Sequence, residues 1–219
     1  MAGFSGYGQF CPVAKASEIL AKRWTPLIVR ELISGSTSFN EIHRGVPLMS
    51  RPLLSQRLRE LTAEGVVSHT EGGVYQLTDA GHALEPVIRA MGLWGQRWVE
   101  SETKGPDWDA GVLMWDMRRR IDTNALPSGR TVLQFDFQDA PEEMRWWWLL
   151  IEGQNVDLCI SDPGYEVDLF IITQVRVLAP IWIGKRPLAP AIERNEIRLH
   201  GRLDLARSIS QWLMLSALV

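Results

Sequence analysis

Residues 38–63 read SFNEIHRGVPLMSRPLLSQRLRELTA and contain the pattern that decides the fold of the first half of the chain. The SFNE sequence at 38–41 is a capping box, in which a serine and a glutamate side chain each accept a backbone N–H at the start of a helix. It predicts a short helix over 39–44, which the GVP sequence ends. Ser50 is placed to cap a second helix over 51–63. Two short helices joined by a glycine-containing turn predict a helix-turn-helix.

The elements on either side of this pair complete a winged helix. A hairpin is indicated by β-rich runs on both sides of the turn sequence EGG, and Pro86 is expected to kink the last helix. Helices, a helix-turn-helix, a hairpin and a closing helix describe a winged helix-turn-helix domain over residues 1–100. The predicted flanking elements are helices at 12–22, 26–34 and 79–99 and strands at 66–70 and 74–77.

The second half of the chain has a different composition and predicts a small α+β domain, a sheet covered by helices. Residues 101–111 (SETKGPDWDAG) are polar with glycine and proline and are interpreted as a linker. Residues 112–219 form the second predicted domain. Its predicted strands lie at 130–137, 145–151, 156–160, 167–172 and 195–201, and its helices at 109–122, 173–183 and 203–218.

The composition argues against several classes of protein. The hydrophobic content of 46% suffices for packed cores, and no apolar run is long enough for a membrane span. The first ten residues lack the basic and apolar regions of a signal peptide. Two cysteines do not make a disulfide framework. We therefore expect a protein of the reducing cytoplasm with no membrane partner.

The charge of the chain is unevenly distributed. The formal net charge of −3 argues weakly against nucleic-acid binding. However, residues 22–59 hold seven basic and two acidic residues, a net charge of +5. A basic segment is what phosphate binding needs, although an ordinary solvated helix face has the same composition.

The predicted helix over 51–63 has two distinct faces. Its leucines fall on one narrow stripe at 100° per residue, which predicts the face toward the core. Ser55, Gln56 and Arg59 project to the opposite side. Glutamine pairs with adenine, arginine pairs with guanine and serine bonds several base edges in the major groove of DNA. These three side chains are therefore the candidate base contacts.

Other polar residues around the turn are candidates for contact with the DNA backbone. Arg51 lies at the N-terminal end of the predicted helix over 51–63, which is the candidate reading helix, the helix that would contact base edges. At that end either bases or phosphates come close. The alternative to DNA binding is a three-helix scaffold whose polar face is simply solvated. The ordered set of caps, turn and hairpin favours DNA binding. The remaining candidates are Ser38, Asn40, His43, Arg44, Ser50 and, in the wing, His69.

The first half of the chain resembles the HxlR-type winged-helix regulators. The resemblance covers about residues 11–98 and implies a homodimer that uses the first and last helices of the domain. Pro52 is a departure, since the family usually has Lys or Arg there. The matching motifs are CP at 11–12, KRWT at 22–25, FNEI at 39–42, LSQRLREL at 54–61, GVV at 65–67 and YQLTDAG at 75–81.

The last helix of this domain supports a dimer independently of the resemblance. It has a long apolar stripe that a small domain has little means to bury alone, and packing against the second domain is the alternative. The stripe comprises Leu84, Val87, Ile88, Met91, Trp94 and Trp98.

Cys11 is a candidate redox sensor. It precedes Pro12 at the start of a predicted helix, where the helix dipole favours a thiolate, and Lys15 lies one turn further on. Some HxlR-type regulators are similar in placing a sensing cysteine at this point. A small apolar residue at a dimer contact is the alternative interpretation. Cys159 lies in an apolar strand pattern and is interpreted as inert.

Residues 112–219 resemble the sterol-carrier-protein-like domain. The matching residues include VDL at 167–169, IRLHG at 197–201 and an amphipathic C-terminal segment. The resemblance implies an apolar tunnel for a lipid-like molecule. An ordinary aromatic core is the alternative, and strand alternation points Trp147 away from its neighbours. The candidate lining residues are Trp146, Trp148, Phe170, Trp182 and Trp212.

These observations together predict a DNA-binding transcriptional regulator. We expect a homodimer on double-stranded DNA, with repression favoured, and a second domain that senses an apolar small-molecule effector. No catalytic constellation, metal-ligand cluster or cofactor motif stands out, so neither an enzyme nor a cofactor is expected. The alternative is a lipid-binding or carrier protein whose winged helix serves protein association.

Overall fold

The computed structural model describes residues 6–99 and 109–216, and the chain divides into two compact units, Met1–Val99 and Glu100–Val219. Each unit has its own hydrophobic core. Most of the predicted linker, residues 101–108, lies outside the described residues.

The first unit has the predicted order of helices, helix-turn-helix, hairpin and helix. The hairpin is antiparallel, with Val67 opposite Leu77. Gly65 follows the second helix of the helix-turn-helix with a positive φ of 71°, a conformation that glycine adopts without strain. The elements are α1 (Pro12–Leu20), α2 (Thr25–Ile33), α3 (Phe39–Gly45), α4 (Arg51–Ala63), β1 (Val67–His69), β2 (Tyr75–Leu77), α5 (Asp79–His82) and α6 (Glu85–Trp98).

The core of this unit lies between the helix-turn-helix and the helices beside it. Apolar residues of α2, α3 and α4 meet there, as the leucine stripe predicts. The fully buried members include Ile28, Val29, Ile42, Met49, Leu54 and Leu58.

The prediction of one kinked helix at the end of this unit is wrong, because the segment forms two separate helices. Thr78 caps α5 by accepting the Gly81 N–H at 3.2 Å, and α6 restarts at Glu85. Pro86 therefore lies in the first turn of α6, where the missing proline N–H costs no helical hydrogen bond.

The second unit is an α+β fold that begins at α7 and includes single-turn 3₁₀ segments. The predicted C-terminal helix is two short helices, and α9 was not predicted. The elements are α7 (Ala110–Met117), β3 (Arg130–Phe137), β4 (Trp146–Glu152), β5 (Asn155–Cys159), β6 (Leu169–Thr173), α8 (Val175–Trp182), α9 (Leu188–Glu193), β7 (Arg198–Gly201), α10 (Leu203–Arg207) and α11 (Ile209–Trp212).

The five strands form one mixed sheet in the order β5-β4-β3-β6-β7. β3 pairs in parallel with β6 and antiparallel with β4, while the two outer pairs are antiparallel. Alternate residues of the strands join a core with residues of α7, α8, α10 and α11. Helices therefore cover one face of the sheet. Among the described residues, no helix combines the length and hydropathy needed to cross a bilayer.

Candidate nucleic-acid interface

The α4 helix has an apolar face in the core and a polar face toward solvent. On the polar side Gln56 and Arg59 are exposed and Ser55 is half-buried. These are the three residues that the sequence predicts as base contacts, and the structure brings them together on one helix surface. The three leucines of the opposite face are at most 2% exposed: Leu54, Leu58 and Leu61.

The side chains on the polar face are oriented by hydrogen bonds along the helix. Arg59 donates from Nη1 to the Ser55 Oγ at 2.8 Å. Gln56 donates from Nε2 to the Glu60 Oε1 at 2.9 Å. Each pair is four residues apart, the spacing at which helical side chains meet. The side chains of the candidate base contacts are therefore oriented by hydrogen bonds within α4 itself.

Glu60 is held by two cations as well as by Gln56. Its Oε2 accepts from Arg57 Nη1 at 2.6 Å and from Lys22 Nζ at 3.2 Å. Burial alone would raise the pKa of Glu60, but the hydrogen bonds from Gln56, Lys22 and Arg57 outweigh it and lower the pKa. Glu60 is therefore an anion that links the segment after α1 to the reading helix. Glu60 is not among the residues predicted from the sequence.

The start of α4 is joined to α3 by Arg51. Its Nη1 donates to the Asn40 Oδ1 at 3.0 Å, and its guanidinium carbon lies 5.8 Å from the centre of the Phe39 ring. Arg51 and Asn40 are both exposed and now form a pair on the surface. Ser50 is also exposed and precedes α4, but among the described residues its hydroxyl makes no capping hydrogen bond.

Two of the predicted backbone contacts have roles inside the protein. Ser38 completes the capping box, since its Oγ accepts the Glu41 N–H at 3.3 Å. Burial would raise the pKa of Glu41, but the N–H groups of Thr37 and Ser38 hold it below its ordinary value. His43 contacts the Met49 carbonyl oxygen through Nε2 at 3.0 Å, which ties α3 to the turn. Both residues therefore stabilise the helix-turn-helix itself.

A charged network around the buried Glu31 connects α2 to α3, and it was not predicted from the sequence. Glu31 is 2% exposed. It accepts from Arg30 Nη2 at 2.8 Å and from the Ser36 hydroxyl at 3.3 Å. Arg30 also donates to the Gly45 carbonyl at 3.0 Å, and a Cβ at Gly45 would overlap the Glu31 carboxylate. The adjacent opposite charges at 30 and 31, inside an apolar helix, were the available signal.

The wing is connected to the helix-turn-helix through backbone. The Tyr75 N–H donates to the Thr37 carbonyl at 2.7 Å. His69 is exposed, and its ring stacks on Tyr75 with centroids 4.2 Å apart. Arg44 is also exposed, on the last turn of α3. The second strand of the hairpin is therefore held directly to the segment that precedes α3.

Cys11 lies directly before α1 and is half-buried. Lys15, expected to support a thiolate there, instead pairs with both carboxylate oxygens of Glu18 at 3.2 Å. A thiol sensor at Cys11 stays a prediction. Burial, with a smaller contribution from the Asp157 charge, raises the pKa of the Cys159 thiol and disfavours its reactive form.

The five aromatic residues predicted to line a pocket are divided between the two sides of the sheet. Trp147 belongs to the core on the helix-covered face, so Trp146 and Trp148 point to the opposite face. Phe170 lies on that opposite face too, because Gln134 of β3 is paired with Trp148 on one side and with Phe170 on the other. Trp182 and Trp212 lie in the helix-side core and donate to Asp116 and to the Leu205 carbonyl. One cavity cannot be lined by all five, and a sterol-carrier-like identity stays a prediction.

Two helices of the first unit leave large apolar side chains in solvent. Every residue of α1 and α6 is among the described residues. No residue of α1 is fully buried, and Ile88 is the only fully buried residue of α6. The exposed fractions are 72% for Val13 in α1 and 50% for Met91, 62% for Trp94 and 63% for Trp98 in α6, and Phe10, which precedes α1, is 99% exposed.

Comparison with known proteins relates the first unit to one family. The model of the HxlR-like helix-turn-helix family matches residues 19–103. The HTH-type transcriptional regulator YvaP of Bacillus subtilis is 42% identical over 99 residues, which are 42% of this chain and 92% of YvaP. The regulator YodB of the same organism is 33% identical over 97 residues, 41% of this chain and 87% of YodB.

Among solved structures, the quinone-bound form of Bacillus subtilis YodB is 35% identical and covers 40% of this chain and 99% of that one, with a TM-score of 0.38. The chain is 42% identical to YvaP over 92% of the length of YvaP, and the family model covers the helix-turn-helix of this chain. The chain therefore belongs to the HxlR-like helix-turn-helix family of transcriptional regulators.

Proposed function

We propose that this regulator binds an operator as a homodimer and represses transcription, with α4 of each copy in a major groove. The observation that carries the proposal is the outward face of α4. Gln56 and Arg59 are exposed on the side opposite the buried leucines, and the half-buried Ser55 lies at the edge of the same face. Their donors and acceptors match base edges, and a helix fits the major groove.

The residues around that face supply contacts to the DNA backbone. The exposed Arg51–Asn40 pair, Ser50 and Arg44 flank the reading residues, and His69 extends the surface to the wing. Phosphate contacts set the position of the helix in the groove, while base contacts set the preferred sequence. Ser38 and His43 contribute mainly by holding the turn, because their side chains are engaged within the protein.

The exposed apolar residues of α1 and α6 support a homodimer. Side chains such as Trp94 and Trp98, exposed by more than half, are typical of a surface that a second copy covers. A twofold dimer presents two α4 helices and therefore reads two related half-sites, spaced by about one helical turn of ~34 Å or a multiple of it. Repression follows most directly from such a clamp, because occupying a promoter excludes other proteins without a further contact.

A salt titration tests the proposal. Binding of a fluorescent duplex of about 30 base pairs is followed by anisotropy, and log K should fall linearly with log salt. Arg59→Ala should cost about tenfold on a preferred sequence and much less on a random one. Arg207→Ala, which removes an exposed arginine of the second unit, is the matched control and should change nothing. Failure to bind any duplex at low salt would overturn the proposal and favour a carrier protein.

We further propose that the second unit adjusts DNA affinity in response to an apolar molecule. The half-buried Trp148 and the exposed Phe170 lie on the sheet face opposite the helices, and they are its candidate contacts. An effector acts only if it binds the two DNA-binding states with different affinity. Oleate is a suitable probe, monitored by tryptophan fluorescence and DNA anisotropy together. Oleate that binds but leaves DNA affinity unchanged removes the regulatory role.

A further inference from the structure

The reading face of α4 begins with an apolar residue. Pro52 is the second residue of the helix and is exposed. A proline there stabilises the helix start. However, it has no N–H and no polar side chain, so it can donate neither to a phosphate nor to a base edge.

Pro52 belongs to the same face as the proposed base contacts. At 100° per residue, Pro52, Ser55, Gln56 and Arg59 fall within an arc of about 100°. From Pro52 to Arg59 the helix rises by about 10 Å, which spans roughly three steps between base pairs. The face therefore presents an apolar group, then a polar pair, then a cation along the groove.

The surroundings of Pro52 leave this apolar surface accessible. The neighbouring Arg51 is directed to α3, where it bonds Asn40 and lies over Phe39. Leu48, in the turn just before the helix, is 79% exposed. The N-terminal end of α4 thus presents apolar surface to the base pairs that it would contact.

In the major groove, the apolar group on a base edge is the 5-methyl group of thymine. Adenine, guanine and cytosine present donors and acceptors there, and contact with proline would leave these desolvated and unpaired. An exposed proline on a reading face therefore discriminates for thymine and against the other three bases.

We infer that Pro52 selects a thymine through its 5-methyl group, about two base pairs from the one that Gln56 contacts. The inference rests on the proposed function, since it requires α4 to lie in the major groove. Each half-site then carries, in order, a thymine opposite Pro52, a base read by Gln56 and a base read by Arg59. Pro52 thereby favours thymine at this position, where a hydrogen-bonding side chain would favour a different base.

The experiment replaces thymine by deoxyuridine, which removes the methyl group alone. A preferred duplex is first selected by the full-length protein from a pool of random sequences. Each thymine of the half-site is then exchanged for deoxyuridine, and binding is measured by anisotropy for the native protein and for Pro52→Ser. Pro187→Ser, at the exposed residue preceding α9 in the second unit, is the matched control.

We expect one thymine per half-site to respond. Its exchange should weaken binding of the native protein about fourfold, the factor contributed by burial of one methyl group. The same exchange should have no effect on Pro52→Ser and the full effect on Pro187→Ser. In a second selection, Pro52→Lys should change the preferred base at this position to guanine, because lysine bonds its O6 and N7.

Two other outcomes separate the inference from the function beneath it. If the protein selects a sequence but every deoxyuridine effect is the same in Pro52→Ser, Pro52 does not read a thymine and the inference is overturned. If no duplex is bound at low salt, the proposed function fails and the inference fails with it.

Discussion

Substitution of Gly81 by alanine should destabilise the first unit, although alanine is the better helix former. Gly81 is buried in α5, within the YQLTDAG motif. A Cβ at this position would overlap the Val66 carbonyl oxygen and lie 2.9 Å from the Leu77 Cδ2. That carbonyl is fixed, because it accepts the Thr78 N–H at 3.1 Å and the Thr78 hydroxyl at 3.2 Å.

The magnitude follows from three contributions. The carbonyl must withdraw by roughly 1 Å to restore ordinary van der Waals contact, and overpacking of this kind costs about 1–3 kcal/mol. Weakening the Thr78 hydrogen bonds adds about 1 kcal/mol. Higher helix propensity returns at most about 1 kcal/mol. The net loss is about 2 kcal/mol, which lowers the melting temperature of a domain of this size by roughly 10 °C.

Hydrogen exchange of the full-length protein can isolate this effect from the second unit. Peptides from β1, β2 and α4 should exchange about 30-fold faster in Gly81→Ala, the factor that corresponds to 2 kcal/mol. Gly95→Ala is the matched control, since among the described residues no heavy atom lies within 4 Å of its Cβ position apart from its chain neighbours and the backbone of its own helix. It should be neutral or stabilising. Equal protection in Gly81→Ala and the native protein would refute the reasoning from the Val66 carbonyl.

Three further predictions concern the dimer, the thiol and the helix cap. Trp94→Arg should convert the dimer to monomers in sedimentation, while Leu203→Arg, at an equally exposed leucine of the second unit, should not; a dimeric Trp94→Arg protein would exclude α6 as the interface. Iodoacetamide, which alkylates thiolates, should weaken DNA binding of the native protein and of Cys159→Ser but leave Cys11→Ser unaffected, and a response in Cys11→Ser would exclude Cys11 as a thiol sensor. Because the folded pKa of Glu41 is below 4.5, its carboxylate contributes stability in full above that pH and loses it as the pH falls through the folded value. Unfolding measured from pH 7 to 3 should therefore show a smaller acid loss for Glu41→Gln, and identical pH profiles would contradict the assignment.

Much of the first unit follows from local patterns in the sequence. The capping box at Ser38 is formed as predicted, and the leucine stripe of α4 is buried, because both depend on interactions within one or two helical turns. The break between α5 and α6 was missed. A proline inside a helical pattern is compatible with a kink or with a new helix start, and local spacing does not distinguish them.

The second unit shows what local patterns leave open. Its strands were placed within a few residues, yet the pairing of β3 with β6 joins segments that are distant in sequence. Alternation assigned Trp146 and Trp148 correctly to one face, opposite Trp147. It could not show that Trp182 and Trp212 belong to the other side, because that depends on which sheet face the helices cover.

Some of the contacts that orient the outward face of α4 are expected from local spacing in the sequence, and others are not. The pairing of Gln56 with Glu60 is expected from their spacing of four residues. The contribution of Lys22 is not, since its ammonium reaches Glu60 from the segment that follows α1. Lys22 and Arg57 keep the Glu60 carboxylate in place, and that carboxylate orients the amide of Gln56 before DNA is bound. We therefore expect the proposed base preference of Gln56 to depend on side chains beyond the outward face of α4, so that the identity of residue 56 alone is not enough to predict the operator.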